Sequence, residues 1–404
     1  MLPVVDDPTR GRYILETATA LARRAEVRVY FQVNRPPFGR ALAKVLDRAP
    51  GSDTAIEVES LTYPALPWLT RLVNGTVSSV ALTPRLRRYR PDLILGYWLY
   101  PDGYAAVKTA RALGIPAIVG ALGSDIYGRQ GLAAHLTRWT IRHADALLTV
   151  SEAMRRVAID GFGADPRRVR TIVNGINTRA FHVRDQQATR ARLGREPNER
   201  LIVYVGRLVE SKGLGELLDA FRRLAKRDPR YRLAIVGQGP MKEQLVALAA
   251  EDGLAGRIAL PGGLPHEAVA EWISASDLLV LPSWSEGYPN VLVEAHACGR
   301  PVVATDVGGT REIVGAGNGI LIPPRDREVL EQALEAALAR DWNHAAIAAA
   351  ASRTWDDVAS ETLEACCAVL NDRQRQTTAG PMMALPLTGA ETADLRVART
   401  PVDR

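Results

Sequence analysis

From Leu201 onward the sequence repeats one unit: a short run rich in β-branched residues, a turn carrying Gly, Pro or Asp, then an amphipathic helical pattern. The runs fall at residues 201–205, 232–236, 257–260, 277–281, 301–304 and 319–322. Strands alternating with helices this way build a parallel sheet. The runs are apolar throughout rather than alternating, so both faces of that sheet are expected to be covered by helices. In such a sheet ligands bind beyond the carboxyl ends of the strands, so residues that directly follow a strand carry the functional information.

The first half has the same rhythm, with strands expected near residues 26–31, 92–95, 117–120, 146–150 and 170–173. At 404 residues the chain fits two domains of ordinary size. The expected organisation is α/β: two Rossmann-like domains facing a cleft, over residues 1–175 and 201–355. Polar residues 176–200 read as the linker and hinge. A helix over 356–370 is expected to cross back to the first domain, and residues 371–404 read as a disordered tail. A helical pattern runs from about Arg12 to Arg24 with no strand before it, only Asp6-Asp7-Pro8 and neighbours. The first strand of the N-terminal domain therefore reads as missing, with the natural reading frame expected to begin upstream.

No apolar run approaches the ~20 residues that cross a bilayer, and no signal peptide is read, so the cytoplasm is the expected location. The three cysteines, Cys298, Cys366 and Cys367, lack metal-ligand spacing. Of the net charge of +6, residues 1–175 carry +9 and the remainder −3. Arg85, Arg87, Arg88 and Arg90 close one helical pattern, and Arg138 and Arg142 interleave with Leu136, Trp139 and Ile141. This suits either a solvated helix face or peripheral contact with an anionic membrane surface or acceptor. No nucleic-acid motif is present.

The chemistry concentrates after the strand that ends at Leu281. There the sequence reads Ser285-Glu286-Gly287-Tyr288-Pro289-Asn290, and a helical pattern follows through Glu294. A helix starting near Asn290 turns its free N–H groups and positive dipole end toward the loop, which makes an anion site. Gly287 permits close approach of a ligand to the backbone. Glu286 and Glu294 place two carboxylates where they can hold hydroxyls of one extended ligand. After the strand ending at Val205, Arg207 and Lys212 bracket a loop and could neutralise a diphosphate, Arg by fork geometry and Lys as a mobile point charge.

Glu286 and Glu294 form a Glu-x7-Glu pair, and Ser-Glu-Gly-Tyr-Pro-Asn-Val-Leu-Val-Glu-Ala resembles the retaining glycosyltransferases of family 4, which have the GT-B fold. The likeness runs from about Pro8 to Leu370 and extends to bacterial enzymes that build cell-surface polysaccharide. It implies that Glu286 contacts the transferred sugar, Glu294 the donor ribose, and Arg207 and Lys212 the diphosphate. The loop Gly287, Tyr288, Pro289, Asn290 would meet the donor, Gly262 in Pro261-Gly262-Gly263-Leu264 would lie where the base is held, and Gly11 in Pro8-Thr9-Arg10-Gly11 would bind the donor as well.

In Gly123-Ser124-Asp125, Asp125 reads either as a catalytic residue orienting a hydroxyl or as a helix cap or turn residue. Leu122 stands where many relatives carry His or Arg. His135 and His143 fall on a helical pattern, while His266 and His296 read as surface or packing positions. There is no Asp-x-Asp, so no metal and no cofactor are expected beyond the nucleotide diphosphate sugar as co-substrate, with a glycan or lipid-linked acceptor. Two rival readings keep this architecture: a nucleotide-sugar 2-epimerase, which needs no acceptor, and a non-catalytic binding subunit.

Overall fold

The structure, a computed structural model, describes residues 11–35, 47, 54–64, 73–251 and 253–378. The first domain contains α1 (Arg12–Leu21), β1 (Arg28–Arg35), β2 (Glu57–Pro64), α2 (Asn74–Tyr89), β3 (Ile94–Tyr97), α3 (Tyr104–Leu113), β4 (Ala117–Ala121), α4 (Gly131–His143), β5 (Ala146–Thr149), α5 (Glu152–Arg156) and β6 (Val169–Thr171). After α6 (Gln186–Arg192), the second domain has β7 (Arg200–Val205), α7 (Leu214–Arg227), β8 (Tyr231–Val236), α8 (Lys242–Ala249), β9 (Ile258–Gly262), α9 (His266–Ala275), β10 (Leu278–Leu281), α10 (Asn290–Ala297), β11 (Val302–Thr305), β12 (Gly319–Ile322), α11 (Arg327–Ala339) and α12 (His344–Ala350). A 24-residue helix, α13 (Trp355–Thr378), ends the described chain.

The second sheet is wholly parallel in the order β12-β11-β10-β7-β8-β9. Leu201, Ile202, Val203 and Tyr204 of β7 and Leu278, Leu279 and Val280 of β10 are shut off from solvent between the helical layers, which is why these strands read as unbroken apolar runs. The first domain differs: β3-β4-β5-β6 form one parallel sheet, while among the described residues β1 and β2 pair only with each other. The strand β2 has no counterpart in the sequence reading, because Glu-Val-Glu-Ser-Leu alternates and carries little apolar signal.

Residues 176–200, expected as a linker, are instead docked on the second domain. Phe181 is buried in its core, and the Arg190 guanidinium donates to Asp277 Oδ2 at 2.8 Å and to the Ala275 carbonyl at 2.9 Å. The chain crosses between the domains at 173–177 and again at 353–355, and the two crossings lie side by side. The Ile176 N–H donates to the Arg353 carbonyl (3.0 Å), and Arg353 Nε donates to the Val173 carbonyl (3.0 Å). A pivot between the domains is thereby confined to these crossings. The helix α13 packs Trp355, Val358, Ala359 and Ala365 against Ala20 and Leu21 of α1 and Ile118 of β4. It continues to Thr378, so residues 371–378, expected in the tail, are helical, and 379–404 lie outside the described residues. Among the described residues no helix is long and apolar enough to cross a membrane.

Candidate active site

In the second sheet the strand order reverses between β7 and β10, which opens a crevice beyond their carboxyl ends. The loops leaving these strands meet across it. Gly213 has φ 68°, and a β-carbon there would stand 2.0 Å from the Pro282 carbonyl oxygen, so glycine alone permits the contact. The Trp284 N–H donates to the Ser211 carbonyl at 2.9 Å. This seam brings Lys212 Nζ to 2.5 Å from Glu286 Oε1, with the two side chains only 18% and 11% exposed. Arg207 stands exposed at the rim, its carbonyl held by the Tyr204 hydroxyl at 2.8 Å.

A third loop backs the second. At Gly308, φ 56°, a β-carbon would lie 1.8 Å from the Glu286 carbonyl oxygen, and the Gly309 N–H donates to the Gly287 carbonyl at 3.1 Å. The stretch Thr305-Asp306-Val307-Gly308-Gly309 is thus the support on which Glu286 and Gly287 rest. Pro289 caps α10, and Asn290 Oδ1 accepts from Asn174 Nδ2 at 2.9 Å, which ties the helix start to the first crossing. Tyr288 packs against the cores of both domains. Gly262 lies at the carboxyl end of β9, where its carbonyl accepts from the Gly237 N–H at 2.8 Å; it does not line the Glu294 pocket.

Glu294 faces a pocket of about 180 Å³ that it shares with Asn290, His266, Asn177, Arg12 and Glu16. Burial pushes its carboxyl up to about 7, against the opposing pull of Arg12. Glu16 is raised by burial too, while Arg12 Nε donates to its Oε1 at 3.3 Å. Burial, with Arg12 close by, pushes His266 down to about 3, so its imidazole is neutral at physiological pH. Its Nδ1 has no hydrogen-bond partner among the described residues. Gly11 precedes Arg12 as the left-handed N-cap of α1 (φ 68°) and is not itself part of the pocket lining. Pro8, Thr9 and Arg10 lie outside the described residues.

Asp125 does not reach the cleft as a catalytic group, which corrects that expectation. It is fully buried. Its Oδ1 accepts from the Leu122 and Gly123 N–H groups (2.9 and 2.8 Å), and its Oδ2 accepts from the Leu99 N–H (3.0 Å). The carboxylate shapes the backbone of Leu122 and Gly123, and that backbone is what faces the second domain: a β-carbon at Gly287 would stand 2.7 Å from the Leu122 carbonyl oxygen. Nearby, the Glu312 carboxylate accepts from the N–H groups of Glu152 and Ala153 (2.9 and 2.8 Å), two further hydrogen bonds between the domains.

Arg12, Glu16 and Glu312 escaped the sequence reading, and His266, expected at a surface or packing position, instead lines the Glu294 pocket. Arg12 follows the glycine that opens the first helix, and His266 opens the helix after the Gly262-Gly263 turn, so position after a strand or at a helix start was the available signal. Nothing local marks Glu312. Among the described residues no cluster of three or more His, Cys, Asp or Glu has metal-site geometry.

Residues 185–355 match the family model described as Glycosyl transferases group 1, and residues 11–180 that of Glycosyltransferase Family 4. The teichuronic acid biosynthesis glycosyltransferase TuaC of Bacillus subtilis is 33% identical over 266 residues, 64% of each chain and so under two thirds of that protein's length. The D-inositol 3-phosphate glycosyltransferase of Rhodococcus opacus is 31% identical over 387 residues, covering 87% of this chain and 84% of its own. In fold, the chain is similar to the sucrose-phosphate synthase of Thermosynechococcus elongatus (TM-score 0.69, 21% identity, 94% and 96% of the two chains). It is also similar to Anabaena HepE in complex with UDP-glucose (TM-score 0.64, 20% identity, 92% and 96%).

Proposed function

The chain belongs to the glycosyltransferases of group 1 and family 4, and on that premise we propose that it transfers a hexose-type sugar, with retention of configuration, from a nucleotide diphosphate sugar to a glycan or lipid-linked acceptor in surface polysaccharide synthesis. The observation that carries this reading is the close pair of Lys212 and Glu286 at the switch point of the second sheet, above the start of α10. An ammonium has three donors, so Lys212 can hold Glu286 and a phosphate oxygen together. As the bond to the sugar breaks, negative charge grows on the departing diphosphate. Lys212, Arg207 and the N–H groups at the start of α10 stand ready to meet it, in a cleft that closing domains would dry. Glu286 would hold sugar hydroxyls and Glu294 the ribose. Tyr288 and the backbone of Leu122 and Gly123 close the site from opposite sides. Arg87, Arg88 and Arg90, exposed around the end of α2, suit an anionic acceptor or lipid surface. Three cationic or dipolar groups suffice for the leaving group, so no divalent ion or cofactor is invoked.

The test is a thermal-shift screen of nucleotide diphosphate sugars, where a ligand at 100 times its Kd adds ~2.7 kcal/mol. Turnover of the stabilising donor with glycan and lipid-linked acceptors, with and without EDTA, should follow. Product with the donor's anomeric configuration, formed in EDTA, is expected. Conversion of the donor sugar with no acceptor present would replace this reading by an epimerase.

Glu294 supplies a pH signature. With its carboxyl near 7 in the donor-free protein, it is largely protonated below that pH and ionised above it. A carboxylate accepts ribose hydroxyls better than a carboxylic acid does. Donor binding is therefore expected to tighten about tenfold between pH 6 and pH 8, the value for one linked proton. Glu294→Gln should bind the donor more weakly with a flat profile. Calorimetric titration of both proteins at the two pH values checks this, and a slope that persists in the variant would remove Glu294 from the donor site.

A further inference from the structure

At the start of α5 two backbone N–H groups are met from the other domain. The helix follows β5, and Ser151 caps it: its hydroxyl accepts from the Met154 N–H at 3.2 Å, and its carbonyl accepts from the Arg155 N–H at 3.0 Å. This leaves the N–H groups of Glu152 and Ala153, which have no partner within a helix that begins there. A carboxylate is favourable at that end of a helix, but Glu152 turns its own toward Arg155 Nη1, 3.9 Å away. The carboxylate that accepts from both N–H groups is that of Glu312, at 2.9 and 2.8 Å.

Glu312 ends the short turn Gly308–Glu312, and that turn has little slack. Thr310 is fully buried. Its hydroxyl donates to the Thr305 carbonyl at 2.8 Å and accepts from the Val307 N–H at 2.9 Å, which fixes the turn to the end of β11. Arg311 is tied back to Asp306, Nε to Oδ1 at 3.0 Å. At Gly309 both domains come together: a β-carbon there would stand 2.5 Å from the Gly287 carbonyl oxygen and 2.8 Å from Ser151 Cβ. The same turn therefore supports the Glu286–Gly287 loop on one side and grips α5 of the first domain on the other.

On the premise that sugar is transferred in this cleft, we infer that Glu312 is a positioning residue: by holding the start of α5 it sets the Glu286–Gly287 loop against the first domain and decides whether the acceptor or water receives the sugar. The bonds at the two crossings and between Asn174 and Asn290 hold the pivot. They leave the angle about it free, whereas Glu312 fixes that angle, since two charge-assisted hydrogen bonds must break before the domains part. Held together, the domains keep water from the anomeric carbon. With them parted, water competes with the acceptor hydroxyl. Its oxygen bonds to the anomeric carbon, the diphosphate leaves with the electron pair of the broken bond and takes up the water's proton, and free sugar forms in place of the glycoside.

The experiment compares the parent with Glu312→Ala, which removes the grip, and Glu312→Gln, which keeps one uncharged acceptor oxygen. Hydrogen exchange is read first, with no donor present. The amides of Glu152 and Ala153 should exchange about tenfold faster in Glu312→Ala, while those of β4, β7 and β10 are unchanged. With the donor and acceptor found by the screen, kcat for transfer should fall about tenfold and the ratio of free sugar to glycoside should rise about tenfold, while the donor Kd stays within about twofold. Glu312→Gln should lie between parent and Glu312→Ala in both. Unchanged exchange at Glu152 and Ala153, or faster exchange with the parental kcat and product ratio, would overturn the assignment. A donor Kd that weakens in step with kcat would overturn it too, making Glu312 a support of the donor site alone. A parent that turns over no nucleotide sugar overturns the transfer reading instead, and the exchange at Glu152 and Ala153 still decides whether Glu312 holds α5.

Discussion

Replacing Lys212 with alanine is expected to lower kcat about 100- to 1,000-fold, the loss typical when one preorganised group is taken from a developing negative charge. The KM for the donor should change far less, because the charge on the leaving group grows mainly as the bond breaks. Steady-state kinetics on the donor and acceptor found by the screen would read this split. The substitution also strands Glu286, whose side chain is 11% exposed and whose cation lies 2.5 Å away, so part of the loss could come from the glutamate swinging out of place. Lys212→Ala combined with Glu286→Gln separates the effects. If Lys212 acts on the leaving group, the double variant stays as slow as the worse single one, since the two residues serve one step. If Lys212 only holds Glu286 in position, neutralising the glutamate recovers part of the rate. Lys212→Arg should keep the charge but misplace it, because a planar fork cannot occupy the position of a compact ammonium. Unchanged kcat in Lys212→Ala would remove the residue from the chemistry.

That the loops of Lys212 and Glu286 belong to one site was legible in the sequence because both residues follow strands of uninterrupted apolar character, and the loops after such strands converge at the switch point; the ion pair between the two residues was not. The same property made the second domain readable nearly strand by strand. Where a strand is half-exposed the signal fails, as in β2, whose Glu57, Val58 and Glu59 alternate. The linker was misread for a related reason. Gln186, Arg190 and their neighbours are polar, but Arg190 is buried against Asp277, and an ion pair between residues 87 apart leaves no local trace. Asp125 shows a different limit: a carboxylate after a strand can turn toward a ligand or toward its own backbone, and composition is the same in both cases. Arg12 and Glu16 pair with each other on α1 but reach Glu294, as Glu312 reaches the N–H groups of Glu152 and Ala153, only once the two domains are side by side, so no pattern within either half announces these contacts.

Gly287 shows how this inter-domain geometry can be tested without disturbing either fold. A β-carbon there would lie 2.7 Å from the Leu122 carbonyl oxygen, 3.0 Å from the Gly123 Cα and 3.0 Å from the Met154 side chain, all in the first domain. These are the three atoms nearest to it, and the backbone of Gly287 does not need the left-handed region. Gly287→Ala is therefore expected to fold with stability within about 0.5 kcal/mol of the parent and to bind the donor with nearly unchanged affinity. Its kcat should nevertheless fall about 100-fold, because holding the domains apart by a fraction of an ångström to one ångström misplaces acceptor and donor by that much. Gly308→Ala is the contrasting case, since its β-carbon would strike the Glu286 carbonyl at 1.8 Å from a residue with φ 56°. That clash lies inside the second domain, so stability, donor affinity and rate should fall together. Thermal unfolding, donor titration and single-turnover kinetics on the two variants read the difference. Full activity in Gly287→Ala would mean that transfer takes place with the domains further apart than they lie here. Loss of donor affinity with intact kcat would move Gly287 from the closing surface into the donor contact itself.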